Sequence, residues 1–310
     1  MKKLLLLAAL LAGAAGAEPK TVAIAQIIDH PALNEVRRGL EEEIKAQGLT
    51  VNYEYENAQG NNAIALQIAE KFIGGQPAVL VGLGTPAAQA LANGHGDIPL
   101  VFSAVTDPVA AKLVSAWDKT DGQITGVSDR VAVEKNVSLI KELLPQVKKV
   151  GTIYNGGEAN AVAAVKELKE ALAKENIELV EAAATKTSEV QEAGSKLLGQ
   201  VDALYIVQDN TVVSALATLV DLCEQGQIPL FTADTALVKQ GALAAISFDY
   251  YQVGRSTGGQ VAAILKGKKI ADIPVTTPKD VELLLNQKAA DKIKLTIPAA
   301  VRDRAKEIIK

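Results

Sequence analysis

Apolar residues recur along the chain with two alternating rhythms. Val36, Leu40 and Ile44, and again Val165, Leu168 and Leu172, return at three- or four-residue spacing to one helical face. Between such stretches lie short continuous apolar runs, such as Val79 to Leu83 and Ala203 to Val207, which suit buried parallel strands covered by helices on both sides. Alternation of the two predicts an α/β fold of doubly wound parallel sheets. Val213, Leu216, Val220 and Cys223 also share a helical face, so the single cysteine reads as a buried structural thiol rather than a nucleophile.

The pattern occurs twice. Thr21 to Tyr53 and Lys149 to Glu181 each run as apolar strand, polar loop, amphipathic helix and strand. AVLVGLGTPAAQAL (Ala78 to Leu91) resembles ALYIVQDNTVVSAL (Ala203 to Leu216), and GDIPLVFSA (Gly96 to Ala104) resembles GQIPLFTAD (Gly226 to Asp234), at nearly one offset. The halves read as copies of one βα arrangement, giving two lobes with a cleft between them.

Composition narrows the class. The chain has 310 residues, 48% hydrophobic and 22% charged, the size of about two soluble globular domains. A formal charge of -4 with dispersed basic residues gives no footing for nucleic acid. Lys2 and Lys3, an apolar run from Leu4 to Ala12 and the small residues Ala15-Gly16-Ala17 predict an export signal over residues 1–17, cleaved near Ala17. That run falls short of the roughly 20 residues that span a bilayer. Localisation is therefore expected to be periplasmic or secreted.

In open α/β sheets ligands bind beyond the carboxyl ends of the strands, so the loops there carry the candidate chemistry. These are Asp29-His30-Pro31, Gly84-Thr85-Pro86, Ser103 to Pro108, Tyr154 to Glu158, Asp209-Asn210, Thr232-Ala233-Asp234 and Asp249-Tyr250-Tyr251. Thr85-Pro86 and Asp107-Pro108 each read as a helix cap followed by proline, and free amides at such helix starts favour a ligand anion. Asp209, Asp234, Asp249 and Glu158 supply negative charge for an ammonium. Both kinds of site together describe an α-amino acid, although each residue also has a plain capping role open to it.

Other classes fit less well. His30 and His95 are the only histidines, and there is no metal-ligand spacing, no nucleophile elbow and no phosphate loop with its lysine. No enzyme, cofactor or metal is expected. A sugar or another small polar metabolite remains an alternative ligand, though aromatic residues are only 4% and Trp117 is the sole tryptophan. A ligand-sensing regulator is a further alternative, weakened because an export signal stands where a helix-turn-helix would.

The segments HPALNEVRRGL, NAQGN, GTPAAQALAN, FSAVTDPVAAKLV, ITGVSD, IYNGGEANA, DN and DYYQVG resemble, in order, the ABC transporter substrate-binding proteins of the tryptophan/tyrosine type, from about Val22 to Leu295. The resemblance implies a bilobal type I periplasmic-binding fold crossed three times by the chain. Lobe 1 would comprise residues 18–125 and 250–272, and lobe 2 residues 126–249 and 273–310. It also implies an interlobe cleft that closes by a hinge around an aromatic or related amino acid, an ABC permease as partner, and a monomer. By motif, Thr85, Ser103 and Thr106 would hold the ligand carboxylate, and Asp209, Asn210 and Asp234 its ammonium. Tyr154, Asn155, Glu158 and Asn160 would complete the second-lobe wall. Asp29, where relatives commonly have Glu, and Ala161, where they have Ser, bear on ligand identity.

Overall fold

The computed structural model describes residues 19–117, 120 and 122–310. The export signal expected over 1–17 lies outside the described residues. From the amino end run β1 (Lys20–Gln26), α1 (Pro31–Ala46), β2 (Val51–Asn57), α2 (Asn62–Gly74), β3 (Val79–Leu83), α3 (Thr85–Ala92), β4 (Leu100–Ser103) and β5 (Ile124–Val127). Then follow α4 (Val133–Leu143), β6 (Lys149–Tyr154), α5 (Ala159–Lys174), β7 (Glu178–Ala183), α6 (Val190–Leu197), β8 (Ala203–Ile206), α7 (Asn210–Val213), α8 (Leu216–Gly226), β9 (Leu230–Thr232), α9 (Thr235–Val238) and β10 (Ala244–Ser247). The chain ends with α10 (Tyr250–Leu265), β11 (Glu282–Asn286), α11 (Gln287–Lys292), α12 (Ala299–Arg302) and β12 (Glu307–Ile309).

The internal repeat appears as matching topology. One sheet has the order β2-β1-β3-β4-β5, and the other carries β7-β6-β8-β9-β10 before β11 and β12. In each half the first strand pairs in parallel with the second and the third. The order therefore reverses beside β1 in one lobe and beside β6 in the other, the place where an α/β sheet opens a crevice beyond its strand ends. The second sheet departs from the all-parallel expectation, because β11 runs antiparallel to β10. The apolar run Leu283 to Leu285 signals a buried strand but not its direction.

Periodic apolar faces became core. Val36, Leu40 and Ile44 on α1 and Leu168 and Leu172 on α5 are fully buried, each contributing about 1.5–3 kcal/mol of burial free energy. In the second lobe alternate strand residues feed opposite layers: Tyr205 packs on one face of the sheet, Leu204 and Ile206 on the other. Cys223 is buried on α8, and burial pushes its thiol up to about 12, which fits a structural role.

After β10 the chain returns to the first lobe, where α10 packs along α1. Gly254 makes this possible, since a Cβ there would stand 2.1 Å from the carbonyl oxygen of Val36. The expected boundary after residue 125 falls inside β5, whose Gly126 and Val127 are still in register with Phe102 and Ser103, so the first crossing follows Val127. Crossing segments are tied together: Thr125 Oγ1 donates to the Ile273 carbonyl at 2.7 Å, and Gln260 Nε2 on α10 donates to the Gly126 and Pro274 carbonyls. No helix among the described residues is long and apolar enough to cross a membrane.

Candidate ligand-binding site

The ends of β1, β3, β6 and β8 face each other across the gap between the sheets. A cavity there is walled by His30, Leu33, Ala104 and Thr106 from the first lobe and by Asn160, Val207, Gln208, Asp209, Asn210, Val213 and Asp234 from the second. Asp129 and Tyr250, beside two of the crossings, complete it. The space left there is only about 30 Å³, enough for water but not for an amino acid. A solute therefore enters only if the lobes part and the lining side chains move. Two larger grooves, of about 650 and 410 Å³, are each bounded by both lobes. Gly84 follows β3 at φ +85°, and a Cβ there would meet Ile27 at 2.6 Å and the Asn210 amide oxygen at 3.4 Å, so the opposite lobe seats against bare backbone.

The acidic residues differ sharply in how they are satisfied. Glu158 accepts from the Asn210 backbone N–H at 3.1 Å and its side-chain amide at 2.6 Å, from the Thr211 N–H at 3.0 Å and hydroxyl at 2.7 Å, and from Asn160 Nδ2 at 3.3 Å. It is spent on holding the loop into α7, so it is not an open seat for an ammonium. Asp209 caps α7, accepting from the Val212 N–H at 2.8 Å and the Asn155 N–H at 2.6 Å. Burial pushes Asp209 up to about 7; the Glu158 charge adds to this, while the Asn155, Val212 and Thr211 N–H groups oppose it.

Asp234 caps α9 through one oxygen, which accepts the Ala236 N–H at 2.7 Å. Its other oxygen has no partner among the described residues. Burial, then the charge of Asp129, push it up to about 7 against that single N–H. Asp129 accepts the Thr106 hydroxyl at 3.0 Å and the Tyr250 hydroxyl at 2.9 Å. Burial raises its pKa, and both hydroxyls work against the rise. Burial also drives the Tyr250 phenol upward, with Asp129 and Asp234 adding to it. His30 is lowered to about 4 by burial, against an Asn210 hydrogen bond and the Asp29 charge, so its ring is neutral at pH 7. No Lys or Arg among the described residues lines the cavity.

Thr106, Asn160, Asp209, Asn210, Asp234 and His30 thus stand in the wall. Several other expectations are corrected. Ser103 is buried in the first lobe, with its hydroxyl 2.6 Å from that of Thr257, and does not face the cavity. Thr85 caps nothing: Gly84 is the capping residue of α3, and the Thr85 hydroxyl is buried, without a partner among the described residues, just outside the lining. Asp107 accepts from the Val109 and Ala110 N–H groups, but it closes a turn rather than starting a helix. Tyr154 points outward to Glu181, and Asn155 borders the 410 Å³ groove. Asp249 is exposed, caps α10 and borders the 650 Å³ groove. Asp129 and Gln208 were missed as site residues, and Tyr250 was named only as part of its strand-end loop. The strand-end rule applied to β5 would have pointed to Asp129, two residues past Val127.

A family model described as ABC transporter substrate binding protein matches residues 21–309. The chain is 36% identical over 284 residues to the tyrosine-binding protein of Clostridioides difficile, covering 89% of this chain and 82% of that one. A Streptococcus pneumoniae ABC domain solved in complex with L-Trp overlays with a TM-score of 0.91 at 31% identity, covering 94% of this chain and all of that one. The ligand-free, open structure of a Clostridium difficile substrate-binding protein with adhesive properties overlays with a TM-score of 0.70 at 32% identity, covering 94% and 99%.

Proposed function

The chain belongs to the ABC transporter substrate binding protein family, and on that footing we propose that it captures an aromatic α-amino acid between its lobes and presents it to a membrane permease. The observation that carries this reading is the cavity itself: Asp129, Asp209 and Asp234 share a narrow interlobe space whose lining, among the described residues, holds no Lys or Arg. Buried carboxylates without a cation are costly, so a ligand ammonium is the natural counter-charge. Leu33, Val207 and Val213 give the same cavity an apolar side on which a ring can pack.

The lobe arrangement matches the L-Trp-bound relative far better than the open one, although both are nearly equally similar in sequence. This supports a hinge between lobes, with ligand contact to both favouring the shut form. A micromolar ligand needs about 8 kcal/mol, within reach of a few charge-assisted hydrogen bonds and a buried ring after ordering costs. The protein works by binding without turnover, as a monomer, outside the cytoplasm after cleavage near Ala17.

The test is mass spectrometry of small molecules that copurify with the exported protein, followed by calorimetric titration with L-tyrosine, L-tryptophan, aliphatic amino acids and hexoses. Aromatic amino acids should bind in the micromolar range or tighter and be recovered unchanged. Binding of hexoses alone, or conversion of a bound amino acid, would overturn the reading.

A further inference from the structure

We propose that the lobes turn about an axis of three single residues, Ala132, Ser247 and Glu282, and that two buried amides outside the cavity, Asn136 and Gln260, are the positioning residues that confine the bend to it. This deepens the hinge reading above and rests on it. Each crossing changes core within two residues. Val131 packs in the first lobe and Val133 in the second. Ile246 packs in the second lobe and Phe248 in the first, while Val281 packs against the first and Leu283 is buried in the second. Packed cores shift between discrete arrangements rather than deform smoothly, so the chain bends only where it has left one core and not yet entered the other. One residue is left for this on each crossing.

The three residues are drawn to one place. Ser247 and Glu282 stand opposite each other in the final pair of the β10–β11 ladder. Ala132 is the N-cap of α4, and Asn136, one turn along that helix, ties it to β10. The Asn136 amide donates to the Ile246 carbonyl at 2.9 Å, and its oxygen accepts the Ile246 N–H at 2.9 Å. The β9–β10 ladder stops at Ala244, so Asn136 supplies the partners that a neighbouring strand would have given. It is 2% exposed and stands outside the cavity wall.

On the first-lobe side Gln260 does the matching job. From α10 its Nε2 reaches the Gly126 carbonyl at 3.3 Å, the Pro274 carbonyl at 3.2 Å and the Thr276 hydroxyl at 3.3 Å. The first and third crossings also bond to each other, the Thr276 N–H donating to the Gly126 carbonyl at 3.0 Å and the Ser128 N–H to the Thr276 carbonyl at 2.8 Å. Both segments therefore move with the first lobe. Asp129 travels with them, held by the Thr106 and Tyr250 hydroxyls, while Asp209 and Asp234 travel with the second lobe. Closure about a fixed axis brings these carboxylates together in one arrangement, whereas a loose axis brings them together in many. Asn136 and Gln260 thus bear on affinity although neither lines the cavity.

The experiment compares crystal structures of the wild-type protein without ligand and with L-tryptophan, and follows the interlobe distance in solution with spin labels on Leu66→Cys and Val162→Cys, at exposed positions on α2 and α5. Superposed lobe by lobe, the two structures should differ in backbone torsions at Ala132, Ser247, Glu282 and their immediate neighbours, with the Asn136–Ile246 and Gln260 hydrogen bonds kept in both. In solution, Asn136→Ala should broaden the distance distribution of the liganded protein and weaken L-tryptophan by about tenfold. Ile68→Ala, a core truncation on α2 away from the crossings, should lower Tm yet leave affinity within about threefold and the distribution unchanged. A bend centred within β5 or on Pro274, or an Asn136–Ile246 pair that parts on opening, would overturn the inference. So would an Asn136→Ala protein with affinity within about threefold of wild type and a distribution no broader. If L-tryptophan binds in any of these cases, the capture reading survives; if neither it nor L-tyrosine binds the wild type, that reading falls as well.

Discussion

Two acidic clusters meet at the interlobe cavity, and they do opposite jobs. Around α7, Glu158 accepts five hydrogen bonds from three residues, and its charge is absorbed by the loop it organises. Around the crossings, Asp129, Asp234 and Tyr250 are equally buried, yet Asp234 has one oxygen with no partner among the described residues and Asp129 rests on two hydroxyls. Residue type and burial are alike in the two places; the difference is the count of donors. A buried carboxylate whose lone pairs are filled is architecture, whereas one left partly empty is a place for something that arrives.

Deleting Glu158 should have the largest effect. Glu158→Ala leaves the buried Asn210 and Thr211 N–H groups without their protein acceptor and should cost about 3 kcal/mol, lowering Tm by roughly 6–10 °C. Thermal unfolding of the ligand-free protein reads this directly. A shift within about 2 °C would show that the loop holds itself and that the assigned division of labour is wrong.

Asp234→Asn keeps the cap on Ala236 but removes the free charge. It should weaken L-tyrosine and L-tryptophan by about a hundredfold in calorimetry while leaving the ligand-free Tm within a few degrees. Equal affinity would take Asp234 out of the ammonium site.

A smaller effect comes from protons. Asp209 and Asp234 sit near 7 in the closed form, against about 3.8 when exposed to water. An acid whose pKa is higher in the closed form keeps a proton there that the open form has released. Closure of the empty protein therefore takes up protons: it is fully supported below about 3.8 and loses that support as pH rises through about 7. Small-angle scattering should give a larger radius of gyration at pH 8 than at pH 5 for the ligand-free protein, and no such change when ligand is bound. A particle that opens towards low pH would contradict the sign.

The smallest effect is expected at Thr85. Its hydroxyl is buried and has no partner among the described residues, so Thr85→Val should leave affinity within about threefold and should hold or slightly raise the ligand-free Tm. A loss of about thirtyfold or more would return this residue to the carboxylate-binding role the sequence suggested.

How much of this was legible in the sequence follows the same division. The doubled β-α-β pattern showed up because apolar periodicity survives in any copy, and it led to matching strand orders in both sheets. Asp209, Asn210 and Asp234 were found because they follow β8 and β9 directly, where α/β sheets place their chemistry. Glu158 and Asp249 were read as ligand groups because a sequence lists carboxylates but not the N–H groups that fill them. Asp129 was passed over because it follows the short β5, next to a lobe crossing, and the tertiary turn that brings Tyr250 onto it leaves no local trace. The reversed direction of β11 is likewise a matter of which edge a strand reaches, which apolar content does not encode.

A crystal structure of the protein with a bound aromatic amino acid would show directly where the ammonium sits. The ligand nitrogen should lie about 2.7–3.1 Å from an oxygen of Asp234 and within reach of Asp209 or Asp129, with the ring against Leu33, Val207 and Val213. A ligand whose carboxylate occupies the acidic end, or one held in an outer groove with the cavity between the lobes still empty, would contradict it.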